Sequence, residues 1–215
     1  MRNTIAIAFL AFAGVAYASA RRSTSNGPAD GINWGTLPAD VFDLAQSTMN
    51  TITETPATTE PDTQAANLAA FLAAIRAAEG TDRAPDPYRV VMGYGHTLQD
   101  LSDHPYFTGE WKGAAFGDGQ WSTAAGAYQF LRATWADLRE RLQLPDFGPE
   151  SQDAAAVELI RQRGALEDVK AGRFYDAVTK VKRIWASLPG AGYGQGERSM
   201  QWLAQRYENA GGTLA

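Results

Sequence analysis

The chain contains no cysteine, and only two of its 215 residues are histidine. Disulfides and thiolate metal sites are excluded, though the redox compartment is left open. His96 and His104 are not spaced like a helical metal pair, and no HExxH motif occurs. GxSxG, the phosphate-binding P-loop and the dinucleotide fingerprint are missing as well. Acyl, phosphoryl and hydride transfer therefore have no motif to carry them, and no metal or cofactor is expected. A basic surplus is also lacking. Net charge is −5, of which residues 1–66 contribute −3 and the remainder only −2. A nearly neutral body has no electrostatic footprint for a phosphate backbone, so nucleic acid is not an expected partner.

Long apolar runs are scarce. The one candidate lies between Ile5 and Tyr17, behind the positive Arg2 and ahead of Ala18-Ser19-Ala20. This is the layout of an export signal, cleaved or retained as a signal anchor. The run is short and alanine-rich for a membrane span. Residues 1–20 are thus expected to direct export to the periplasm or cell wall, with transient membrane association through that segment alone. Residues 21–64 read as a linker. Between Thr51 and Gln64 threonine, proline and acids dominate, a composition that cannot build a core. Trp34 and a short amphipathic stretch at 41–45 are the exceptions.

Regular patterning begins at Ala65. Leu68, Phe71, Leu72 and Ile75 recur at three- and four-residue spacing, predicting a helix over 65–79 with one buried face. Glu79 continues that stripe, and Gly80 supplies the stop. A carboxyl there meets apolar neighbours and the negative end of the helix dipole, and both disfavour its charged form. A raised pKa would suit a general acid. The competing reading is a last-turn glutamate that rolls out to water.

The run 88–95 is β-prone but broken by Gly93 and Gly95, which predicts a short, bent hairpin. Lys112 to Gly119 reads as glycine-rich loop. A long helical pattern follows Ser122-Thr123, with Tyr128, Leu131, Trp135 and Leu138 on one face. Further helices are expected over about 149–163, 165–171, 174–185 and 197–209. The fold class is α+β, mainly α.

Four polar features compete as sites. Glu79 is the first. The segment 122–131 places small residues before a helix, where backbone and hydroxyls approach a ligand closely. It offers Ser122, Tyr128 and Gln129, the last being equally an exposed helix glutamine. Tyr193, among glycines, either faces a cleft or sits in an ordinary loop. Asp103 beside His104 suggests a dyad, against a turn-capping aspartate with a surface histidine. Without the excluded motifs, carboxylate chemistry on a glycosidic bond remains. Asp82, Asp86, Asp100 and Asp103 are candidate partners for Glu79, and no spacing singles one out.

Several blocks occur in a fixed order: 79–82, 102–105, 122–129, 151–154, 163–166, 184–195 and 210–213. Together they resemble the lambda-type phage endolysins, lysozyme-like peptidoglycan lytic transglycosylases, over about residues 67–215. The resemblance implies a lysozyme-like two-lobed domain, residues 65–215, with a small β-hairpin lobe and a helical lobe. It implies Glu79 as the catalytic glutamate, acting alone as acid and then base on the bond between N-acetylmuramic acid and N-acetylglucosamine. The product would be a 1,6-anhydromuramoyl end. Tyr193, Tyr128 and Gln129 match family positions near the cleft and would bind substrate, with Ser122 of the small-residue segment beside them. The implied partner is the peptidoglycan glycan strand, and the implied state a monomer. Two departures stand out: Arg89 follows Tyr88 where family members can carry an aspartate, and Ala127 stands where an arginine is frequent. A hydrolytic muramidase with a second carboxylate, and a non-catalytic wall-binding module, are the alternatives.

Overall fold

The computed structural model describes residues 60–116, 119–192 and 197–215. The export segment, nearly all of the linker with Trp34 and residues 41–45, and Tyr193 lie outside the described residues. The first described helix, α1, spans Glu60–Glu79, so it begins more than a turn before Ala65, inside the stretch read as linker. Glu60 and Asp62 in its first turn explain the extension, because acids there oppose the helix dipole.

The axis of the domain is α1. Leu68, Phe71, Leu72 and Ile75 are each 1% exposed, and Ala70 and Ala74 are sealed beside them. The alanines allow neighbouring helices to approach closely, while each large side chain contributes about 1.5–3 kcal/mol by burial. Around α1 stand α5 (Leu166–Lys170), α6 (Phe174–Val181) and α7 (Met200–Asn209). Phe71 meets the edge of Phe174 at 5.8 Å, and Phe174 lies 4.7 Å from Tyr207. Asn67 ties the chain end to this cluster, accepting from Thr213 N at 2.8 Å and donating to Lys170 O at 3.0 Å.

The second half of the molecule holds α2 (Pro105–Thr108), α3 (Arg132–Leu142), α4 (Pro149–Gln162) and a two-stranded antiparallel sheet. Strands β1 (Ala114–Phe116) and β2 (Gln120–Ser122) pair in register Ala115 to Trp121. The hairpin therefore occupies the stretch read as glycine-rich loop. Three-residue strands are too short to print an alternating pattern, and the pairing is clasped from outside by Trp121 Nε1 donating to Lys112 O at 3.0 Å.

The run 88–95 is not a hairpin. Pro87–Arg89 and Met92–Tyr94 are single 3-10 turns, and Val90 and Val91 each make one isolated bridge. Asp86 caps the first turn by accepting from Tyr88 N at 2.9 Å. Gly93 at φ 82° and Tyr94 at φ 57° then turn the chain before pairing can propagate.

The helix expected after Thr123 begins only at Arg132. Ala125 and Phe130 exchange backbone hydrogen bonds at 3.0 and 2.8 Å, closing residues 126–129 into a buried turn. A Cβ on Gly126 would meet Gln152 Oε1 at 2.2 Å, so glycine is required there. The stripe at 174–185 is also shorter as a helix than as a pattern: α6 stops at Val181, and Ile184 and Trp185 are buried from the turn that follows.

Candidate active site

Glu79 closes α1 and points where the stripe sent it. The residue is half-buried, and its Oε1 accepts from Ser187 Oγ at 2.6 Å. Burial drives its pKa from the ordinary carboxylate range up to about 8, against the lowering influence of the Ser187 hydrogen bond and the Arg198 charge. At neutral pH its surroundings favour the protonated form. The expectation of an acid kept neutral by its surroundings is met, and the outward-rolling alternative is not.

Three supports hold this end of the helix. Gly80 takes φ 77°, and the hydroxyl of Tyr94 donates to its carbonyl at 2.5 Å. Thr81, fully buried, donates to Ala127 O at 2.7 Å. Ser187 is fixed in turn by Arg198, whose backbone N donates to Ser187 O at 2.9 Å. Arg198 stacks on Trp202 at 4.9 Å, and its buried Nε has no hydrogen-bond partner among the described residues. The Tyr94 hydroxyl lies within electrostatic reach of Arg83, Asp82, Glu79 and Arg198, and the ring is 50% exposed. Ser187, Tyr94 and Arg198 were not singled out as site residues from sequence. The one available signal was Tyr94 standing between two glycines.

The other acids are engaged elsewhere. Asp103 accepts from His104 N at 2.7 Å and Trp135 Nε1 at 2.9 Å and pairs with Arg139. Asp100 caps Ser102 N at 2.8 Å, and Asp86 caps Tyr88. Asp82 alone among the four is exposed close to Glu79 in sequence. Asp153, 2% exposed, is enclosed by Tyr128 Oη at 2.5 Å and Tyr88 Oη at 3.0 Å, with Arg76 at 3.9 Å.

His104 and Asp103 form no dyad. Asp103 caps the turn, as one reading held, but the histidine is sealed rather than at the surface. Its Nε2 lies 3.0 Å from Phe130 O, and its Nδ1 accepts from Tyr106 N at 3.2 Å, fixing the proton on Nε2. Burial lowers its pKa to about 4.

The residues of 122–130 are buried. Tyr128 is 1% exposed, its hydroxyl donating to Asp153 and accepting from Arg76 Nη1 at 2.7 Å. Gln129 is neither exposed nor helical; at φ 51° its amide donates to Gly126 O at 3.0 Å. Ser122 Oγ, also buried, accepts from Ala124 N at 3.2 Å. The turn's visible service to Glu79 is mechanical: Ala127 O receives Thr81, and Tyr128 O receives Trp185 Nε1 at 3.1 Å, two residues before Ser187.

Comparison with known proteins bears on this arrangement. The family model described as Endolysin matches residues 69–214. The endolysin of Escherichia phage P2 is 44% identical over 157 residues, covering 69% of this chain and 95% of that protein. The endolysin of Escherichia phage lambda is 41% identical over 150 residues, covering 67% of this chain and 91% of that protein. The solved structure of bacteriophage lambda lysozyme complexed with a chitohexasaccharide superposes with a TM-score of 0.64 at 37% identity, over 76% of this chain and 100% of that one.

Proposed function

This chain belongs to the endolysin family and is a lysozyme-like glycosidase, and we propose that its reaction is the lytic transglycosylase cleavage of peptidoglycan. The observation that carries the proposal is the state of Glu79. It is a carboxylic acid with a pKa of about 8, hydrogen-bonded to Ser187, while Asp86, Asp100, Asp103 and Asp153 are all engaged in structural contacts. The substrate follows from the family and from the sugar oligomer bound by the related lambda lysozyme.

The chemistry runs through one group. Glu79 gives its proton to the oxygen linking N-acetylmuramic acid to N-acetylglucosamine, and that C–O bond breaks. The acetamido oxygen of the muramoyl sugar assists at C1. The carboxylate left behind, being a strong base for its class, takes the proton of the muramoyl 6-hydroxyl. That oxygen attacks C1 and closes a 1,6-anhydro ring. Glu79 ends protonated, and no water is consumed. Ser187 and Arg198 stabilise the carboxylate during the interval in which it is charged. Tyr193 is assigned to positioning the sugar or polarising its acetamido group. On this reading Tyr128, Gln129 and Ser122 serve by holding the turn that Thr81 and Trp185 lean on. Their side chains are buried and internally bonded, so a direct contact with sugar is not assigned to them.

A hydrolytic muramidase would need a second carboxylate to direct water, and of Asp82, Asp86, Asp100 and Asp103 the exposed Asp82, three residues after Glu79, is the one without a structural contact described above. Mass spectrometry of products from purified murein separates the two. Anhydromuramoyl ends from wild type, with none from Glu79→Gln, are expected; reducing muramic ends would establish hydrolysis instead. A wild type that releases no product while still binding murein would leave a binding module.

A further inference from the structure

A concavity of about 560 Å³ lies between the hairpin and the start of α3, walled by Tyr106, Lys112, Trp121, Leu131 and Arg132. Its size is that of a small-ligand site. Its chemistry is unlike that of the glutamate site. Lys112 Nζ and the Arg132 guanidinium both lie over the ring of Tyr106, at 4.8 and 4.2 Å. Lys112 Nζ also donates to Tyr106 O at 2.7 Å. Among the described residues neither cation forms a salt bridge, although ten other pairs do so. Trp121 stands beside them 62% exposed, with its indole nitrogen tied to Lys112 O.

Two cations held in place on an aromatic ring, with no salt-bridge partner among the described residues, suit a carboxylate. The stacking orders both side chains in advance, so less entropy is lost on binding. An exposed tryptophan next to them suits a sugar face or an aliphatic chain. Two charges on a nearly neutral domain are too few for a phosphate polymer. The concavity is joined to the catalytic end by a short rigid run. Arg132 N donates to Thr123 Oγ1 at 3.1 Å, Met92 N donates to Ala124 O at 2.9 Å, and Tyr94 reaches Gly80.

Resting on the reading of the substrate as peptidoglycan, we propose that this groove binds the carboxylates of the peptide stems carried by the glycan. Lys112 and Arg132 are the recognising charges, and Trp121 covers the adjoining sugar or peptide. The enzyme then grips cross-linked wall by its stems as well as by its sugars.

The test uses two substrates: intact sacculi, and the same glycan stripped of peptides by an amidase. The full chain carrying Lys112→Gln and Arg132→Gln is compared with wild type. The half-saturating concentration of intact sacculi is expected to rise about tenfold, equivalent to ~1.4 kcal/mol, with turnover at saturation within about twofold. Cleavage of peptide-free glycan is expected to be unchanged, which also shows that the variant folds. Equal losses on both substrates, or no loss on either, overturn the proposal. Binding is measured separately on catalytically silent Glu79→Gln protein, titrated with a stem tetrapeptide and with its carboxamide form. Preference for the free acid, lost in the double charge variant, is expected; equal binding of both forms, or none, overturns it. Wild type that cleaves neither glycan refutes the peptidoglycan reading, and the peptide titration then decides the groove on its own.

Discussion

Ser187 Oγ donates to Glu79 Oε1 across 2.6 Å, joining residues 108 positions apart in the chain. The contact is the one direct hydrogen bond from the rest of the protein to the acid's side chain among the described residues. It favours the ionised carboxylate, whereas burial favours the neutral acid, and burial prevails. The balance is poised: the group holds its proton at rest and still tolerates the charge it carries mid-reaction.

Ser187→Ala removes the tolerant half of that balance. The charged intermediate form of Glu79 loses a hydrogen bond, worth about 1–1.5 kcal/mol, so turnover is expected to fall about tenfold. The pKa of Glu79 rises further, moving the alkaline limb of the activity profile to higher pH. Steady-state kinetics from pH 6 to 10 check both. An unchanged limb would detach Ser187 from the acid.

For wild type, kcat/KM is expected to decline above a pH of about 8, as Glu79 loses the proton it must donate. Glu79→Gln is expected to abolish cleavage while leaving circular dichroism unchanged. Stability gives a second readout. The folded pKa lies above the unfolded one, so the folded state holds more protons between about pH 4.5 and 8. Unfolding free energy contributed by this group is full below 4.5 and is lost as pH rises through 8. Glu79→Gln is therefore expected to melt at least ~2 °C above wild type at pH 9, and close to it at pH 4. Calorimetry at the two pH values is the check, and a parallel offset at both would contradict the buried-acid account.

How much of this was legible beforehand depends on range. Glu79 was readable because its position is set by Leu72 and Ile75, within two helical turns of itself. Ser187 was not, because no local pattern records which loop returns to the end of α1. The hairpin escaped for lack of length, and the 3-10 turns at 87–94 misled because valine and tyrosine favour strands wherever the chain allows them. Ser122, Tyr128 and Gln129 lie in a segment correctly marked as unusual. Their polarity is spent on the protein itself, a distinction carried by the backbone turn at Gly126 and not by residue type. His104 shows the same limit: a polar residue beside proline was read as surface, yet the structure buries it to cap α2 and brace Phe130.

That histidine is expected to weaken the fold in acid. Its folded pKa of about 4 lies below the ordinary 6.5, so the unfolded chain binds the extra proton between those values. Its contribution is full above 6.5 and is lost as pH falls through 4. His104→Gln is expected to flatten the stability profile over that window, which urea titrations at pH 4, 5.5 and 7 measure. If the slope between pH 4 and 6.5 is the same in both proteins, another group governs acid unfolding.

Asp153 tests whether the interior network is scaffold or chemistry. It accepts from Tyr128 and Tyr88 with Arg76 nearby, linking α1 to α4 beneath the active site. Asp153→Ala leaves a partly buried guanidinium without its counter-charge and strands two phenols, a change expected to cost about 3 kcal/mol. Replacing both Arg76 and Asp153 by methionine and leucine removes the unpaired charge and is expected to recover part of that loss. Because the bonds that join the end of α1 and the Ser187 loop to this network among the described residues are those of Thr81 to Arg76 O and Ala127 O and of Trp185 to Tyr128 O, the folded fraction of either variant should retain the alkaline pKa of wild-type activity. Chemical denaturation gives the stability, and the pH dependence of kcat/KM at low temperature gives the site. A displaced alkaline limb in a fully folded variant would bring Asp153 into the chemistry after all, as a charge that tunes Glu79 from within the core.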